Sequence, residues 1–280
     1  VTRKERSIEF REARLLGIGR VTCCAVSPEG KPGILVGGAK GLFHLSGYDS
    51  HPRRLRKYPV GYVVSGESGV VLYEDAKDHG RIVILGPLLE ELRAESALAR
   101  KINPVAMWKG RVILFKNGAF ESFSPSSGET ERVARFAQTH TMTPLWPVES
   151  GFEFMASLRE PSWPTSLYRL VVRAGRDGSG DVQILAKAED PVMSRQFMRL
   201  REDRYLLIPQ GVPVFLIYKV FDGKPASIRT WELLPLPAEA QPVGLIRKDR
   251  DLIAACSDCL LRFELGEEYG AGGRARELNL

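Results

Sequence analysis

The densest chemical signal in the chain is Cys256-Ser257-Asp258-Cys259. Two thiolates separated by two residues on a hairpin form half of a tetrahedral zinc site. The only other cysteines are Cys23 and Cys24. If the two ends of the chain meet, all four thiols converge. Adjacent residues of a strand point to opposite faces, however, so Cys23 and Cys24 do not easily ligate one ion together. The Cys256–Cys259 motif also occupies a tight-turn position: aligned on the first repeat described below, Cys256 falls on Gly38 and Cys259 on Gly41. Buried or turn thiols are therefore the preferred reading, with Cys256 and Cys259 as a metal half-site or redox pair the alternative. No metal and no cofactor are expected.

Other chemistry is sparse. His44, His51, His79 and His140 show neither H-x-H nor H-E-x-x-H spacing. His44 is expected to face outward from Phe43 on a strand, and His140 to lie at a sheet edge near a central axis as a structural residue. There is no G-x-S-x-G and no Walker A sequence, and Gly17-Ile18-Gly19 lacks the rest of a dinucleotide fingerprint. No catalytic residue is assigned, and the expectation leans away from an enzyme.

Lys and Arg number 40 against 34 Asp and Glu, a net charge of +6. That modest excess suits an acidic protein partner or nucleic acid. Its densest part is His51–Lys57, HPRRLRK. As an outer strand this run sends Arg54 and Arg56 one way and Arg53, Leu55 and Lys57 the other. Such charges keep sheet edges from pairing with other chains. They also offer a docking patch, of Arg53, Arg54, Arg56 and Lys57, for an acidic surface or phosphate. Trp163, between Pro161 and Pro164 in a loop-like segment, is the candidate aromatic anchor for a partner. Trp108 and Trp231 fall in strand-like runs and are expected in the core.

Whatever these residues do, short strands must position them. Hydrophobic residues make up 44% and charged residues 26% of 280, enough for a large core and against global disorder. No apolar run approaches the roughly 20 residues of a membrane helix, and no apolar segment follows the basic N-terminus as a secretory signal would require. A cytoplasmic protein without membrane contact is expected. The first residue is Val, which leaves room for an upstream segment.

Six apolar runs recur: 33–37 (GILVG), 69–73 (GVVLY), 111–115 (RVILF), 152–156 (FEFMA), 204–208 (RYLLI) and 251–255 (DLIAA). Their spacing, about 36 to 52 residues, is near that of four-stranded propeller blades. A strand and a polar turn precede most of them, an alternating third strand follows, and several units add a more polar fourth. This gradient suits a radial stack of sheets, in which inner strands are covered on both faces. The spacing predicts an all-β propeller of about six four-stranded blades, one domain over 1–280, with tandem β-sandwiches as the alternative. Leu88–Arg100, LLEELRAESALAR, is rich in helix formers and reads as a short helical insertion. Ile8–Phe10, left over after six units, is expected to add a strand to the last blade and close the ring.

Within the first unit, residues 21–45 run as a strand, an acidic-Gly turn, an apolar strand and then Gly-Leu-Phe. Through Cys24-Ala25, Leu35-Val36-Gly37 and Gly41-Leu42-Phe43, this segment resembles the opening of a citron-homology domain and a WD40-like blade. The resemblance covers about 25 residues; no unit ends in Trp-Asp, and the Gly-His of a regular WD40 blade is absent. It implies a propeller that binds protein partners, as citron-homology domains bind small GTPases or tethering factors. The expected function is a non-enzymatic interaction platform in a larger complex. A channel hydrolase or lyase is the first alternative; the inner-strand starts Val21, Tyr62, Val105 and Val243 speak against it, since such enzymes place carboxylates, Asn or His there. A nucleic-acid-associated scaffold is the second, supported by net charge alone.

Overall fold

The computed structural model describes the chain apart from residues 1–7, 67–68, 77–78, 97–102, 109, 117, 125–126, 128, 137–138, 143–145, 149–150, 159–166, 174–179, 189–193, 202, 210–211, 222–225, 238–239, 249 and 270–280. It is all-β, a propeller of sheets arranged around a ring. The first blade is β2 (Val21–Val26), β3 (Ile34–Gly38), β4 (Gly41–Leu45) and β5 (Arg53–Arg56). The second is β6 (Val60–Gly66), β7 (Gly69–Ala76), β8 (His79–Leu85) and β9 (Glu91–Ser96). The third is β10 (Asn103–Trp108), β11 (Arg111–Lys116), β12 (Ala119–Phe123) and β13 (Thr130–Arg135).

The expected fourth and fifth units form one nine-stranded sheet. It holds β14 (Thr139–Met142), β15 (Trp146–Val148), β16 (Gly151–Leu158), β17 (Leu167–Arg173) and β18 (Asp181–Ala188). The same sheet continues through β19 (Ser194–Arg201), β20 (Arg204–Pro209), β21 (Val214–Phe221) and β22 (Ala226–Pro235). The parallel pairs Ala186–Ala226, Lys187–Ser227 and Ala188–Ile228 join its two halves. The sheets therefore number five rather than six, because the outer strands of two neighbouring units hydrogen-bond to each other.

The last sheet closes the ring. Its order is β1 (Ile8–Leu15), β25 (Cys259–Leu265), β24 (Asp251–Cys256) and β23 (Pro242–Lys248). The N-terminal strand supplies the outer edge of the C-terminal blade, in register from Ile8 opposite Leu265 to Leu15 opposite Cys259, as expected but five residues longer than Ile8–Phe10. The Leu16 and Val21 amides then donate to the Asp258 and Ser257 carbonyls at 3.1 and 2.7 Å, fastening the first blade to the last.

Alternation along the strands explains the radial packing. Leu35 and Leu42 of the first blade pack with Val70, Leu72, Val83 and Leu85 of the second. Ile34, Val36, Phe43 and Leu45, of opposite parity, pack with Ile246, Ile253, Ala255 and Leu260 of the last blade. Val71 and Ile84 turn the other way, toward Met107, Val112 and Leu114. One sheet thus feeds two cores, and its central strands are buried on both faces: every residue of β3 and of β4 is buried. Two independently cored sandwiches would not require this sharing, and the tandem-sandwich alternative is set aside. Phe120 of the third blade meets Phe152 of the nine-stranded sheet edge to face, with ring centroids 5.2 Å apart.

The helical expectation for Leu88–Arg100 is corrected. Residues 87–89 form a turn, with Leu89 at φ 65°, and Glu91–Ser96 is the outer strand β9. Residues 97–100 lie outside the described part. Helix propensities differ by only about 0.7 kcal/mol per residue. Pairing with the open edge of β8, from Arg81–Ser96 to Leu85–Glu91, outweighs them. Glycine is required where the second strand begins in the first two blades. Gly33 (φ 151°) and Gly69 (φ 139°) have conformations hostile to side chains, and a Cβ on either would collide with the carbonyl of Leu45 or Leu85.

Deleting residues 1–12 removes buried Ile8 and bares the β25 edge. Burial of one isoleucine contributes about 1.5–3 kcal/mol, so the deletion is expected to lower stability by at least about 1.5 kcal/mol in chemical denaturation. An unchanged melting temperature would contradict closure by the N-terminus.

Candidate functional site

The basic run His51–Lys57 becomes β5 and the segment after it, at the outer edge of the first blade. A register shift opposite Leu42 and Phe43 breaks simple alternation, so Arg53 and Arg54 are both exposed while Leu55 and Arg56 are half-buried. The four candidate cations therefore separate into two kinds.

Arg56 is committed to the neighbouring blade. Glu74 of β7 is completely buried, and a carboxylate there must be paired and hydrogen-bonded. Arg56 Nε donates to Glu74 Oε1 at 2.6 Å and Nη2 to Oε2 at 3.3 Å. Arg81 of β8, opposite Glu74 in register, donates from Nε to Oε2 at 2.7 Å. Arg56 Nη1 also pairs with Glu91 of β9. Hydrogen bonding to Glu74, more than to Glu91, raises the Arg56 guanidinium above its ordinary pKa. Two arginines thus clamp one carboxylate between two blades, the bidentate geometry that a guanidinium provides. Arg56 is a structural cation before it is a docking one.

Arg53, Arg54 and Lys57 are exposed, and among the described residues none of them lies within ion-pair distance of a carboxylate. Arg54 is held in place: Nε donates to the Arg56 carbonyl at 3.2 Å and Nη2 to the Lys57 carbonyl at 2.9 Å. Tyr58 sits between two cations, Lys57 Nζ at 5.2 Å and Arg81 Cζ at 5.0 Å from its ring centroid. Two further cations missed in the sequence belong to this end of the blade. Lys40 occupies the β3–β4 turn and its side chain lies over Gly19, while the Arg20 carbonyl accepts from the Ala39 amide at 3.0 Å. A Cβ on Gly41 would stand 3.3 Å from Lys57 Cα, so the backbone next to Lys40 passes close to Lys57. Arg20 and Lys40 are exposed. They stand far from the basic run in sequence, so only the strand register could have revealed them.

Trp163 lies outside the described residues, as does the rest of 159–166; the side chains of His79, Trp108, His140 and Trp231 are also outside them. His44 does not face solvent as expected. It is 6% exposed, and burial holds its pKa below the ordinary histidine value, against hydrogen bonding to the Lys31 and Pro32 backbone, which raises it.

The cysteines divide among three inter-blade cores. Cys23 packs toward the second blade with Val60 and Leu35, Cys24 toward the last blade with Ile246 and Ala255, and Cys256 with Cys259 on the far side of that blade. Adjacent strand residues do point apart here. Burial is the main cause that raises all four thiols, pushing Cys23 and Cys256 up to about 12. Cys256 and Cys259 flank the two-residue turn Ser257-Asp258, the place of Gly38 and Gly41 in the first blade. Among the described residues, no group of three or more His, Cys, Asp or Glu side chains is placed to hold a metal ion.

Two outcomes are expected. Glu74→Ala leaves two arginines facing each other across the blade seam and costs about 3–5 kcal/mol of stability, whereas Glu91→Ala, at a partly exposed pair, costs under about 1 kcal/mol; urea titrations of both variants measure the difference. Because the neutral thiol is a poor nucleophile, iodoacetamide at mildly alkaline pH modifies Cys23, Cys24 and Cys256 at least about tenfold more slowly in the folded chain than in denaturant, followed by mass spectrometry. Stoichiometric zinc, lost in Cys256→Ser with Cys259→Ser, would contradict this account of the thiols.

No family model matches the chain, and no curated protein matches it. Solved structures do. One chain of a crystal structure of a mitotic checkpoint complex superposes with a TM-score of 0.65 at 8% identity, over 95% of this chain and 98% of that one. A chain from a Saccharomyces cerevisiae assembly of a Dbp5 variant with Nup159, a Gle1 variant, IP6 and ADP gives a TM-score of 0.55 at 8% identity, over 95% and 96%. At that identity the likeness is one of architecture: with its small sheets set around a ring, the chain has a β-propeller fold.

Proposed function

We propose that the chain is a non-enzymatic platform for protein–protein interaction within a larger complex. The observation that carries this reading is the run of exposed cations on the first blade, Arg53, Arg54 and Lys57, with no carboxylate within ion-pair distance among the described residues, beside a buried carboxylate held by two arginines. Surface cations that no carboxylate neutralises steer and orient an oppositely charged partner. Similar folds in the solved structures belong to multi-protein assemblies, which supports the same reading. Trp163 is the second candidate contact, from its proline-flanked loop sequence.

Affinity capture of the chain at physiological salt, with and without nuclease, tests the proposal. A stoichiometric protein partner that survives nuclease is expected. Loss of all bound protein on nuclease treatment would favour the nucleic-acid scaffold instead. With that partner in hand, Trp163→Ala is expected to weaken binding by about 1–3 kcal/mol in calorimetry while leaving the melting temperature unchanged. A large fall in melting temperature with normal binding would remove Trp163 from the contact surface.

A further inference from the structure

We infer that the exposed cations of the first blade dock an extended acidic segment of a partner protein; the inference rests on the platform reading above. Arg20, Lys40, Arg53, Arg54 and Lys57 are all exposed, and among the described residues no carboxylate pairs with any of them. The contrast with Arg56 and Arg81 is informative. Glu74 and Glu91 pair with Arg56 and Arg81 at the blade seam, whereas among the described residues no carboxylate lies within ion-pair distance of the exposed cations beside it.

The geometry suits carboxylates on an extended chain. Arg53–Lys57 covers roughly 13 Å of strand at about 3.3 Å per residue, the reach of a short extended peptide. Arg54 commits Nε and Nη2 to the Arg56 and Lys57 carbonyls, which fixes its plane and leaves Nη1 for an incoming acceptor. A side chain already ordered loses less entropy when it binds. The same bonds occupy carbonyls at this strand end, so the partner is held by side chains. Nucleic acid fits less well. Stacking on single strands needs an open aromatic face, and the Tyr58 ring is already flanked by Lys57 and Arg81.

The test is fluorescence anisotropy of the intact chain with a short fluorescein-labelled peptide of alternating Glu and Gly, and separately with an oligo(U) of similar length. Saturable peptide binding that weakens with salt is expected. The triple variant Arg53→Glu, Arg54→Glu, Lys57→Glu should lower it at least about tenfold without changing the melting temperature. A control with the same change in net charge, Arg132→Glu, Arg135→Glu, Lys248→Glu, reverses exposed cations elsewhere and should retain most of the affinity. Equal loss in both variants, no peptide binding, or tighter binding of oligo(U) abolished by the first variant would each overturn the inference. A captured protein partner that the first variant retains undiminished would also overturn it, while leaving the platform reading intact.

Discussion

A ring of sheets has no natural end. The first, second and last blades are apolar on both faces, and neighbouring blades cover those faces. If the ring failed to close, the first blade would bare Val36, Phe43 and Leu45, and the last would bare Ile253, Ala255 and Leu260. The pairing of β1 with β25 prevents this, because it makes one blade from the two ends of the chain. Tyr48 adds a hydrogen bond to the Leu260 carbonyl at 3.0 Å, and Arg14 reaches the Ser50 carbonyl at 2.7 Å. The first and last blades are thus joined by backbone, side chain and apolar core at one seam, and every other inter-blade layer depends on that seam staying shut.

Electrostatics divides along the same lines as packing. Inside the seam between the first and second blades, a carboxylate with no solvent access is held by two arginines from different blades. Removing one member of such a group costs far more than an exposed ion pair contributes. On the adjoining surface of the first blade, among the described residues, Arg53, Arg54 and Lys57 have no carboxylate within ion-pair distance. A surface left this way is poor at stabilising its own fold and well suited to meeting an acidic one.

Much of the fold was legible in the sequence, because alternation within strands and polar turns between them are local signals. The strands around 33–37, 69–73, 111–115, 204–208 and 251–255 lie where the apolar runs predicted them, and the N-terminal strand closes the ring as expected. What escaped was non-local. Leu88–Arg100 carries helix formers, yet the open edge of β8 turned Glu91–Ser96 into a strand. Fusion of two units through Ala186–Ala226 depends on where two outer strands meet, which composition does not record. Glu74 directly follows the apolar run 69–73 in sequence. Its burial follows from register opposite Arg81 and from the approach of Arg56, which stands 18 residues earlier in the chain and in another blade. Arg20 and Lys40 escaped for the same reason, whereas Arg53, Arg54 and Lys57 were visible because they sit together in sequence.

Native-state hydrogen exchange along β25 measures the central claim most directly. If β1 is a full member of the last blade, β25 lies inside a sheet, and its hydrogen-bonded amides should exchange as slowly as those of β24. Protection of β25 falling to that of the outer strands β5 and β13 would show an open edge there, and would contradict a ring closed by the N-terminal strand.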